Sequence, residues 1–473
     1  MLSGASVASY LFFAAGSVGQ GYPLDDAWIH QTYARNLAEL GEWSFVPGQA
    51  SAGSTSPLWT ILIAIGYALG VQPAFWTGLL GAGAHALTAW LSYRLVGRLW
   101  PELNLLALSA GIVVALEWHL VWAAASGMET LLFIVLVLAT FTAVLPHRNP
   151  IWSGLFAGLA LWTRPDGLTL LPFLILTLWL IDDEIGTRFR RITLALLGFL
   201  FLALPYLAFN VQLSGSIWPN TLMAKQAEYA ILQTEPLAQR LVDLTLPPLT
   251  GVLMLIAPGV ILLSKRAGFK DFIPMLWAVS FICVYALRLP AVHQYGRYVM
   301  PTIPVLVIFG LAGVGRYLQL QGKMLPRIVS RTWILTTAIT LAGFWVIGAR
   351  RFRADVQIIN SEMVATAQWI AKNTPADAII AAHDIGALGY YGEREIIDLA
   401  GLISPQVIQF IRDDTRLAAF LQSEGADYLM TFPGWYPQIV NSEEWEIAFA
   451  TNAPFAPIEG GENMAVYSLT SPK

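Results

Sequence analysis

The stretch PLWTILIAIGYALG, residues 57–70, decides how the chain is threaded through a membrane. It is apolar almost throughout, but a helix of these fourteen residues rises only about 21 Å. That is less than the roughly 30 Å hydrocarbon core of a bilayer. Counting the stretch as a span would also invert the side of every later loop. We therefore predict an interfacial or re-entrant helix at 57–70 that does not cross.

The composition around this stretch is that of a polytopic membrane protein. Of 473 residues, 56% are hydrophobic and 12% are charged, whereas soluble domains carry about 25% charged residues. The start lacks a basic n-region and a cleavage site, which indicates a first transmembrane helix and not a signal peptide. We predict about eleven spanning helices, near 3–20, 74–97, 103–123, 129–145, 151–163, 167–181, 192–210, 244–263, 271–289, 298–315 and 332–349. A single re-entrant hairpin is the alternative for the two short helices at 151–163 and 167–181.

The cysteine count and the net charge exclude further classes. Cys283 is the only cysteine, so an intrachain disulfide is impossible, and no Cys/His cluster has the spacing of a zinc site. A net charge of -4 offers no basic surface for a polyanion. We therefore expect no nucleic-acid partner.

The distribution of basic residues supports this threading. With the N-terminus inside, 13 Lys and Arg residues fall on the cytoplasmic side, and six fall on the opposite loops and helix ends. An odd number of spans then places the C-terminal part outside. The inner residues are Arg94, Arg98, Arg148, Arg188, Arg190, Arg191, Lys265, Arg266, Lys270, Arg316, Lys323, Arg327 and Arg331.

A change in charge marks the domain boundary. Residues 1–349 are predicted to form a transmembrane domain, whereas residues 350–473 contain 16 acidic and 8 basic residues and no run long enough to span. An amphipathic stretch near 355–373, a helical pattern at 405–424 and short apolar runs predict a soluble α/β domain. The predicted strands are 378–382, 396–399, 427–432, 446–450 and 465–469.

Twelve ionisable residues fall on the predicted outer side of the membrane portion. Such groups are costly at membrane depth and usually line a functional cavity, so we expect one outward-facing polar cavity. For Arg35, Glu117 and His119 taken individually, a snorkelling or ion-paired role is an equal alternative. The twelve are Asp25, Asp26, His30, Arg35, Glu117, His119, Glu129, Arg164, Asp166, Lys225, His293 and Arg297.

The first outer loop is the most informative stretch. Apolar residues from 29 to 40 recur at helical spacing and predict an amphipathic surface helix, with Asp26 as its N-cap and Gly41 as its stop. One aspartate suffices for capping, so Asp25 needs another explanation. Adjacent carboxylates repel each other, so one of them can act as a general base, or the pair can hold a divalent cation. No cofactor is otherwise indicated.

Short motifs in this order resemble a known family. They are DDAW at 25–28, YARNL at 33–37, FVPG at 45–48, STSPLW at 54–59, SGMET at 126–130, TRPDG at 163–167, GRYVMP at 296–301 and DLAGL at 398–402. Together, over roughly residues 20–410, they resemble the polyprenyl-phosphate-dependent GT-C glycosyltransferases. Within that class the chain most resembles the terminal β-arabinofuranosyltransferase of arabinogalactan and its relatives. In this family the first outer loop carries surface helices, which agrees with a non-spanning segment at 57–70.

The resemblance implies an integral membrane enzyme that transfers a sugar with inversion from a polyprenyl-phosphate donor. The implied sugar is arabinofuranose, with mannose or another hexose as alternatives, and the acceptor is a glycan, lipid or protein of the cell envelope. The implied location is a bacterial-type plasma membrane, with the active site and the C-terminal domain on the outer face. A transporter or flippase of lipid-linked sugars is the alternative, but it is expected to show a repeat symmetry that we do not detect.

The resemblance also implies roles for particular residues. An aspartate of the first loop takes the acceptor proton, because a hydroxyl is a poor nucleophile near neutral pH. We assign this role to Asp25, since an N-cap carboxylate at Asp26 is already engaged, and a cavity-facing Asp26 would reverse the assignment. The candidates that hold the donor phosphate are Arg164, Lys225, His293 and Arg297. The candidates that bind sugar or acceptor are His30, Glu129, Asp166, His383 and Asp384.

Several of these candidates have a purely structural alternative. Arg164 and Asp166 can simply pair across a helix-breaking turn, because Pro and Gly already explain the break. Lys225 can snorkel from an interfacial helix. His383 and Asp384 follow a predicted strand, where an ordinary capped turn is the alternative to a ligand site.

Overall fold

The computed structural model of the chain describes residues 1–144, 149–181, 184–264, 268–319, 324–442 and 444–469. Four of the basic residues predicted on the inner side, Arg148, Lys265, Arg266 and Lys323, lie outside these ranges. Residues 470–473 of the predicted C-terminal domain lie outside them as well.

Apolar side chains at helical spacing form most of the first 350 residues into packed helices. Their common core contains the fully buried rings of Trp100, Trp122 and Trp277. The helices are α1 (Leu2–Val18), α2 (Asp26–Leu40), α3 (Pro57–Ala68), α4 (Pro73–Leu99), α5 (Asn104–Leu116), α6 (Trp118–Ala125), α7 (Thr130–Val144), α8 (Ile151–Thr163), α9 (Leu170–Ile181), α10 (Ile185–Ser214), α11 (Asn220–Glu228), α12 (Leu237–Leu249), α13 (Leu253–Ile256), α14 (Pro258–Ser264), α15 (Ile273–Arg288), α16 (Ile303–Gln319) and α17 (Met324–Ile359).

The predicted count of about eleven spans is not confirmed by helix length. Within the described ranges, four helical segments are long and apolar enough to cross alone, and two bent pairs raise the number to six. The predicted spans at 103–123 and 244–263 are these bent pairs, with angles of 51° and 106°. Their breaks have local causes: extended backbone at Glu117 in the first, and two prolines followed by a left-handed Gly251 in the second. Helices lie at the other predicted positions, but several have fewer than 18 residues.

The helix within residues 57–70 is no longer than predicted. Helix α3 has 12 residues, a rise of about 18 Å. The indole nitrogen of Trp59 donates a hydrogen bond to the Gly127 carbonyl oxygen at 2.8 Å, and Ala34 of α2 packs against the same ring cluster. Helix α3 therefore rests on the first-loop helix and on the turn before α7. Its position along the membrane surface stays a prediction.

The C-terminal part contains the five predicted strands. After the two short strands β1 (Ser44–Val46) and β2 (Gln49–Ala50) of the first loop, they are β3 (Ile379–Ala382), β4 (Glu395–Asp398), β5 (Tyr428–Thr431), β6 (Trp445–Ala450) and β7 (Ala465–Leu469). The sheet order is β4-β3-β5-β7-β6, with β4, β3 and β5 parallel and the last two strands antiparallel. The short helices around it are α18 (Ala365–Asn373), α19 (Gly386–Tyr391), α20 (Asp414–Ser423), α21 (Pro437–Val440) and α22 (Phe455–Ile458).

Two sequence expectations about this domain need correction. The predicted helix at 405–424 is a 3-10 turn at Pro405–Gln409 followed by α20, because Asp413 caps a new helix through the Arg416 N–H. The predicted boundary at 349/350 lies inside a continuous helical segment, Ile328–Asn373, and not in a linker. Its turn at Asn360–Val364 has π geometry. The division into two domains itself stays a prediction.

The C-terminal domain contacts the first predicted outer loop through hydrogen bonds and aromatic rings. The guanidinium of Arg35 donates to the carbonyl oxygen of Tyr390 at 3.0 Å and stacks on the Tyr390 ring. The Trp28 ring contacts the rings of Tyr390 and Tyr391. Helix α2 is therefore covered by the C-terminal domain, and Arg35 takes part in this contact.

Candidate functional site

Two neighbouring cavities are lined by all the residues predicted to act as base, to hold the donor phosphate or to bind sugar or acceptor. They comprise about 780 and 950 Å³ of space, part of it open to solvent, and both are lined by Asp26, Lys225 and Arg297. The first cavity also has His30, Glu129, Arg164 and Asp166 in its wall. The second has Asp25, His293, His383 and Asp384. Helix α2, the turn after α8, helix α11, the loop before α16 and the C-terminal domain are thus brought to one place.

Asp26 lies at the junction of the two cavities. One of its carboxylate oxygens is 2.6 Å from a guanidinium nitrogen of Arg297 and 3.6 Å from the Lys225 Nζ. Burial alone would raise the pKa of Asp26, but the charges of Lys225 and Arg297 outweigh it and hold the pKa well below its usual range. The same attraction raises the pKa of Lys225 against the effect of burial. All three groups are therefore charged near neutral pH.

The structure reverses the geometry expected for the two aspartates. Asp25 is the residue before the first turn of α2, but its φ and ψ of -64° and -37° are helical, and neither carboxylate caps this helix. The Asp25 carboxylate instead accepts hydrogen bonds from the N–H groups of Gly386 and Ala387, at 2.6 and 2.8 Å. Asp25 thus joins α2 to α19, and Asp26 faces the cavities. Asp25 as the general base and Asp26 as the cap is therefore not supported.

The electrostatic surroundings of the two aspartates also differ. Burial, and then the nearby charge of Asp384, raise the pKa of Asp25 to about 8 despite its two backbone hydrogen bonds. Every oxygen of Asp25 faces N–H donors, and the engaged oxygen of Asp26 faces cations. The divalent cation considered for this pair stays a prediction. Within the described ranges, no group of three or more His, Cys, Asp or Glu is arranged to hold a metal.

The remaining polar groups of the first cavity are paired with each other. His30 and Glu129 approach to 3.5 Å. The Arg164 guanidinium lies 2.8 Å from Asp166 and donates to the Tyr285 hydroxyl at 2.6 Å, while that hydroxyl donates to Asp166. The simple pairing of Arg164 with Asp166 across a turn is thus present, and the paired groups still line the cavity.

Donor groups without partners point to where an anion fits. The Nε and one terminal nitrogen of Arg297 are buried and have no hydrogen-bond partner among the described residues. Lys225 and Arg297 both lie against the Tyr298 ring, at 5.7 and 5.0 Å from its centroid. The His293 Nε2 is likewise buried and unpartnered in the described part of the chain. Burial, followed by the charge of Arg297, lowers the pKa of His293, which favours its neutral form.

The second cavity extends to the C-terminal domain around His383. The Nε2 of His383 is 3.3 Å from Glu228, its Nδ1 is 2.7 Å from the Tyr436 hydroxyl, and its ring meets the Trp435 ring edge-on at 4.7 Å. Burial opposes protonation, but Glu228 raises the pKa of His383 above its usual value. A third cavity of about 1180 Å³ shares Glu228, His293, His383 and Trp435 with the second. The cavities therefore form one cleft that runs along the C-terminal domain.

Some outcomes differ from the sequence expectation. Glu117 and His119 are a buried pair at 2.7 Å outside both cavities, and His119 also contacts the Pro247 carbonyl oxygen at 2.9 Å. Sequence reasoning missed Glu228, which follows Lys225 by three residues on α11 and thus lies on the same helix face. It also missed Tyr285, whose position in an apolar run gave no signal.

Solved structures share this architecture. ArnT from Cupriavidus metallidurans, bound to undecaprenyl phosphate, gives a TM-score of 0.61 at 13% identity, and the match covers 99% of both chains. The oligosaccharyltransferase of Archaeoglobus fulgidus gives 0.58 at 10% identity, over 94% of this chain and 70% of its own. The arabinofuranosyltransferase AftD from Mycobacteria gives 0.54 at 15% identity, over 99% of this chain and 40% of its own. These proteins are GT-C glycosyltransferases, so the chain has the GT-C fold.

Sequence comparisons add little to this result. A family model described as a domain of unknown function, DUF8728, matches residues 349–467. No curated protein matches the sequence. Nothing at the sequence level supports the terminal β-arabinofuranosyltransferase in particular.

Proposed function

We propose that the protein is a membrane glycosyltransferase that moves a sugar, with inversion, from a polyprenyl-phosphate donor to an acceptor hydroxyl. The observation that carries this proposal is the position of Asp26 between Arg297 and Lys225, where the two cavities meet. A proton acceptor and two cations thus share one site. Transfer from a phosphate ester needs both, because a proton leaves the acceptor while negative charge develops on the leaving phosphate.

The first cavity suits the donor. Arg297 and Lys225 bind the phosphate, and the free nitrogens of Arg297 supply the charge-assisted hydrogen bonds. Arg164 adds fixed positive charge to the same cavity and is held in place by Asp166. Glu129 is buried in the wall of this cavity, where its carboxylate can accept a hydrogen bond from a sugar hydroxyl. His30, its neighbour at 3.5 Å, orients that carboxylate.

Asp26 acts as the general base. The acceptor oxygen forms a bond to the anomeric carbon while the bond from that carbon to the phosphate oxygen breaks, and its electron pair leaves with the polyprenyl phosphate. The acceptor proton passes to Asp26. In the free protein Asp26 is a poor base, because Lys225 and Arg297 lower its pKa. A bound donor phosphate competes for the same cations, so the basicity of Asp26 rises when the donor is present.

The second cavity suits the acceptor. It is lined by Asp26 and also by His383, Asp384 and Trp435. The Trp435 side chain is 46% exposed, and an exposed indole beside carboxylates offers an apolar face and polar groups to a saccharide. His383 and Asp384 hold the acceptor in this scheme, while Asp25 fastens the outer domain.

Sequence motifs and fold likeness supply the finer assignment. We propose arabinofuranose as the sugar, with mannose or another hexose as alternatives, and a glycan, lipid or protein of the cell envelope as acceptor. The site and the C-terminal domain face outward from a bacterial-type plasma membrane, in agreement with the excess of basic residues on the other side. The AftD likeness supports a pentofuranose, and the lipid phosphate bound to ArnT supports the donor class.

A two-component assay tests the proposal. The purified protein in detergent micelles receives a panel of synthetic polyprenyl-phosphate sugars carrying arabinofuranose, mannose or glucose, together with arabinan and mannan oligosaccharides. Mass spectrometry measures the released polyprenyl phosphate and the extended oligosaccharide. We expect turnover by the wild-type protein and none by Asp26→Asn. Transport needs two compartments, so turnover in micelles excludes a flippase as the sole activity. No release from any donor of the panel would contradict the proposal.

A further inference from the structure

The loop that carries Arg297 has an unusual backbone. Gln294, Tyr295 and Gly296 all have positive φ values, of 40°, 63° and 75°. The left-handed region favours glycine, and side chains at the first two positions raise the free energy of this conformation. Such a loop persists only when its surroundings hold it, and held loops of this kind are common at functional sites.

Asp355 of α17 holds this loop. Its carboxylate accepts hydrogen bonds from the Tyr295 hydroxyl, at 3.0 and 3.2 Å, and from the Trp122 indole nitrogen at 2.8 Å. The Tyr295 ring packs edge-on against Trp118 at 5.0 Å and against Trp122 at 5.6 Å. The left-handed tyrosine is thus fixed at both its ring and its hydroxyl.

The conformation of this loop determines where Arg297 points. The N–H groups of Gly296 and Arg297 both bond to the His293 carbonyl oxygen, at 3.0 and 3.1 Å, so the loop is a compact turn. A Cβ on Gly296 would lie 3.1 Å from the Pro248 ring, so the turn also packs closely against the end of α12. Rotation at Tyr295 would therefore move the Arg297 side chain away from Asp26.

We propose that Asp355 is a positioning residue, which acts through Tyr295 to hold the Arg297 guanidinium where the donor phosphate binds. This inference rests on the proposed role of Arg297. Asp355 itself lines neither of the two cavities. It belongs to the helical segment Ile328–Asn373, which continues into the C-terminal domain. The position of that domain therefore also affects the position of Arg297 in the donor site.

The test measures the affinity of the purified protein in detergent for undecaprenyl phosphate. Tyr295→Phe removes only the hydroxyl and keeps the packed ring. We expect about tenfold weaker binding, in line with the loss of a hydrogen bond to a carboxylate. Asp355→Asn keeps an oxygen that can accept from the tyrosine and should retain most of the affinity, whereas Asp355→Leu should not.

A matched control and a double variant separate positioning from general damage. Tyr10→Phe also removes a buried hydroxyl bonded to α17, at the Trp345 carbonyl oxygen, and should leave the affinity unchanged. In the Arg297→Ala background, Tyr295→Phe should have no further effect, because the group it positions is gone. Equal effects of Tyr295→Phe in both backgrounds, or unchanged affinity of Tyr295→Phe in the wild-type background, would overturn the inference. Unchanged affinity of Arg297→Ala itself would instead remove the proposed phosphate role.

Discussion

Asp26 and Arg297 are 271 positions apart in the chain, yet a guanidinium nitrogen of Arg297 lies 2.6 Å from an Asp26 carboxylate oxygen. Lys225 approaches the same oxygen to 3.6 Å. In the proposed function, a donor phosphate binds to the same two cations. The site therefore couples donor binding to the basicity of Asp26, and this coupling leads to distinct expectations for the two neighbouring aspartates.

Substitution by asparagine should have different effects at Asp25 and at Asp26. Asp26→Asn removes the base and should lower turnover by about 10² to 10⁴. Donor affinity should be kept or increased, because the cations lose a competitor. Asp25→Asn should mainly lower thermal stability, since an amide accepts only one of the two bonds from Gly386 and Ala387. Measurements of the initial rate, donor affinity and melting temperature of both variants test this difference between the two aspartates. Full activity of Asp26→Asn would move the base elsewhere.

The two cations should differ in their effect on donor binding. Arg297 is closer to Asp26 and has unpartnered nitrogens, whereas Lys225 is at 3.6 Å. A hydrogen bond to a charged group contributes about 1.5 to 3 kcal/mol, so Arg297→Ala should weaken donor binding tenfold or more. Lys225→Ala should weaken it less. Arg240→Ala is a matched control, because Arg240 bonds only to the Ala286 carbonyl oxygen among the contacts described for it. The same affinity in all three variants would contradict this assignment.

Stability should fall as the pH rises because of two buried carboxyl groups. Burial raises the pKa of Asp25 from its usual 3.8 to about 8 and that of Asp384 to about 6. Between pH 4 and 8 the folded state thus binds more protons than the unfolded state, and a higher pH favours unfolding. Asp384→Asn removes one such group and a charge that raises the pKa of Asp25. The decrease in melting temperature from pH 5 to pH 8 should therefore be smaller in Asp384→Asn than in the wild-type protein.

The control for this pH experiment is Asp377→Asn at an exposed site. It should melt with the pH dependence of the wild-type protein. If Asp384→Asn keeps that dependence too, burial of Asp384 is not its cause.

The threading is testable with single cysteines. In a Cys283→Ser background, Gly186→Cys and Gly268→Cys are predicted inside, because 57–70 is too short to cross. Ser423→Cys, at an exposed position of the outer domain, is the control on the other side. A membrane-impermeant maleimide should label position 423 in intact cells and the other two only after permeabilisation. Labelling of 186 and 268 in intact cells would contradict this topology.

Local patterns were sufficient for much of the fold. Apolar runs located the helices, and alternation with turn residues located all five strands of the outer sheet, because both signals arise within short windows of sequence. The breaks at Glu117 and Gly251 escaped this reasoning. An apolar window is equally compatible with a straight helix and with a bent pair.

The choice between Asp25 and Asp26 required the tertiary structure. Successive residues of a helix point about 100° apart, so the two neighbouring carboxylates meet different partners. The Asp25 carboxylate accepts a hydrogen bond from the N–H group of Gly386, which lies 361 positions away in the C-terminal domain. Sequence patterns identified which residues have the chemistry for a site. The packing of distant segments determined which of them meet, because a pairing over hundreds of residues leaves no trace in the local sequence.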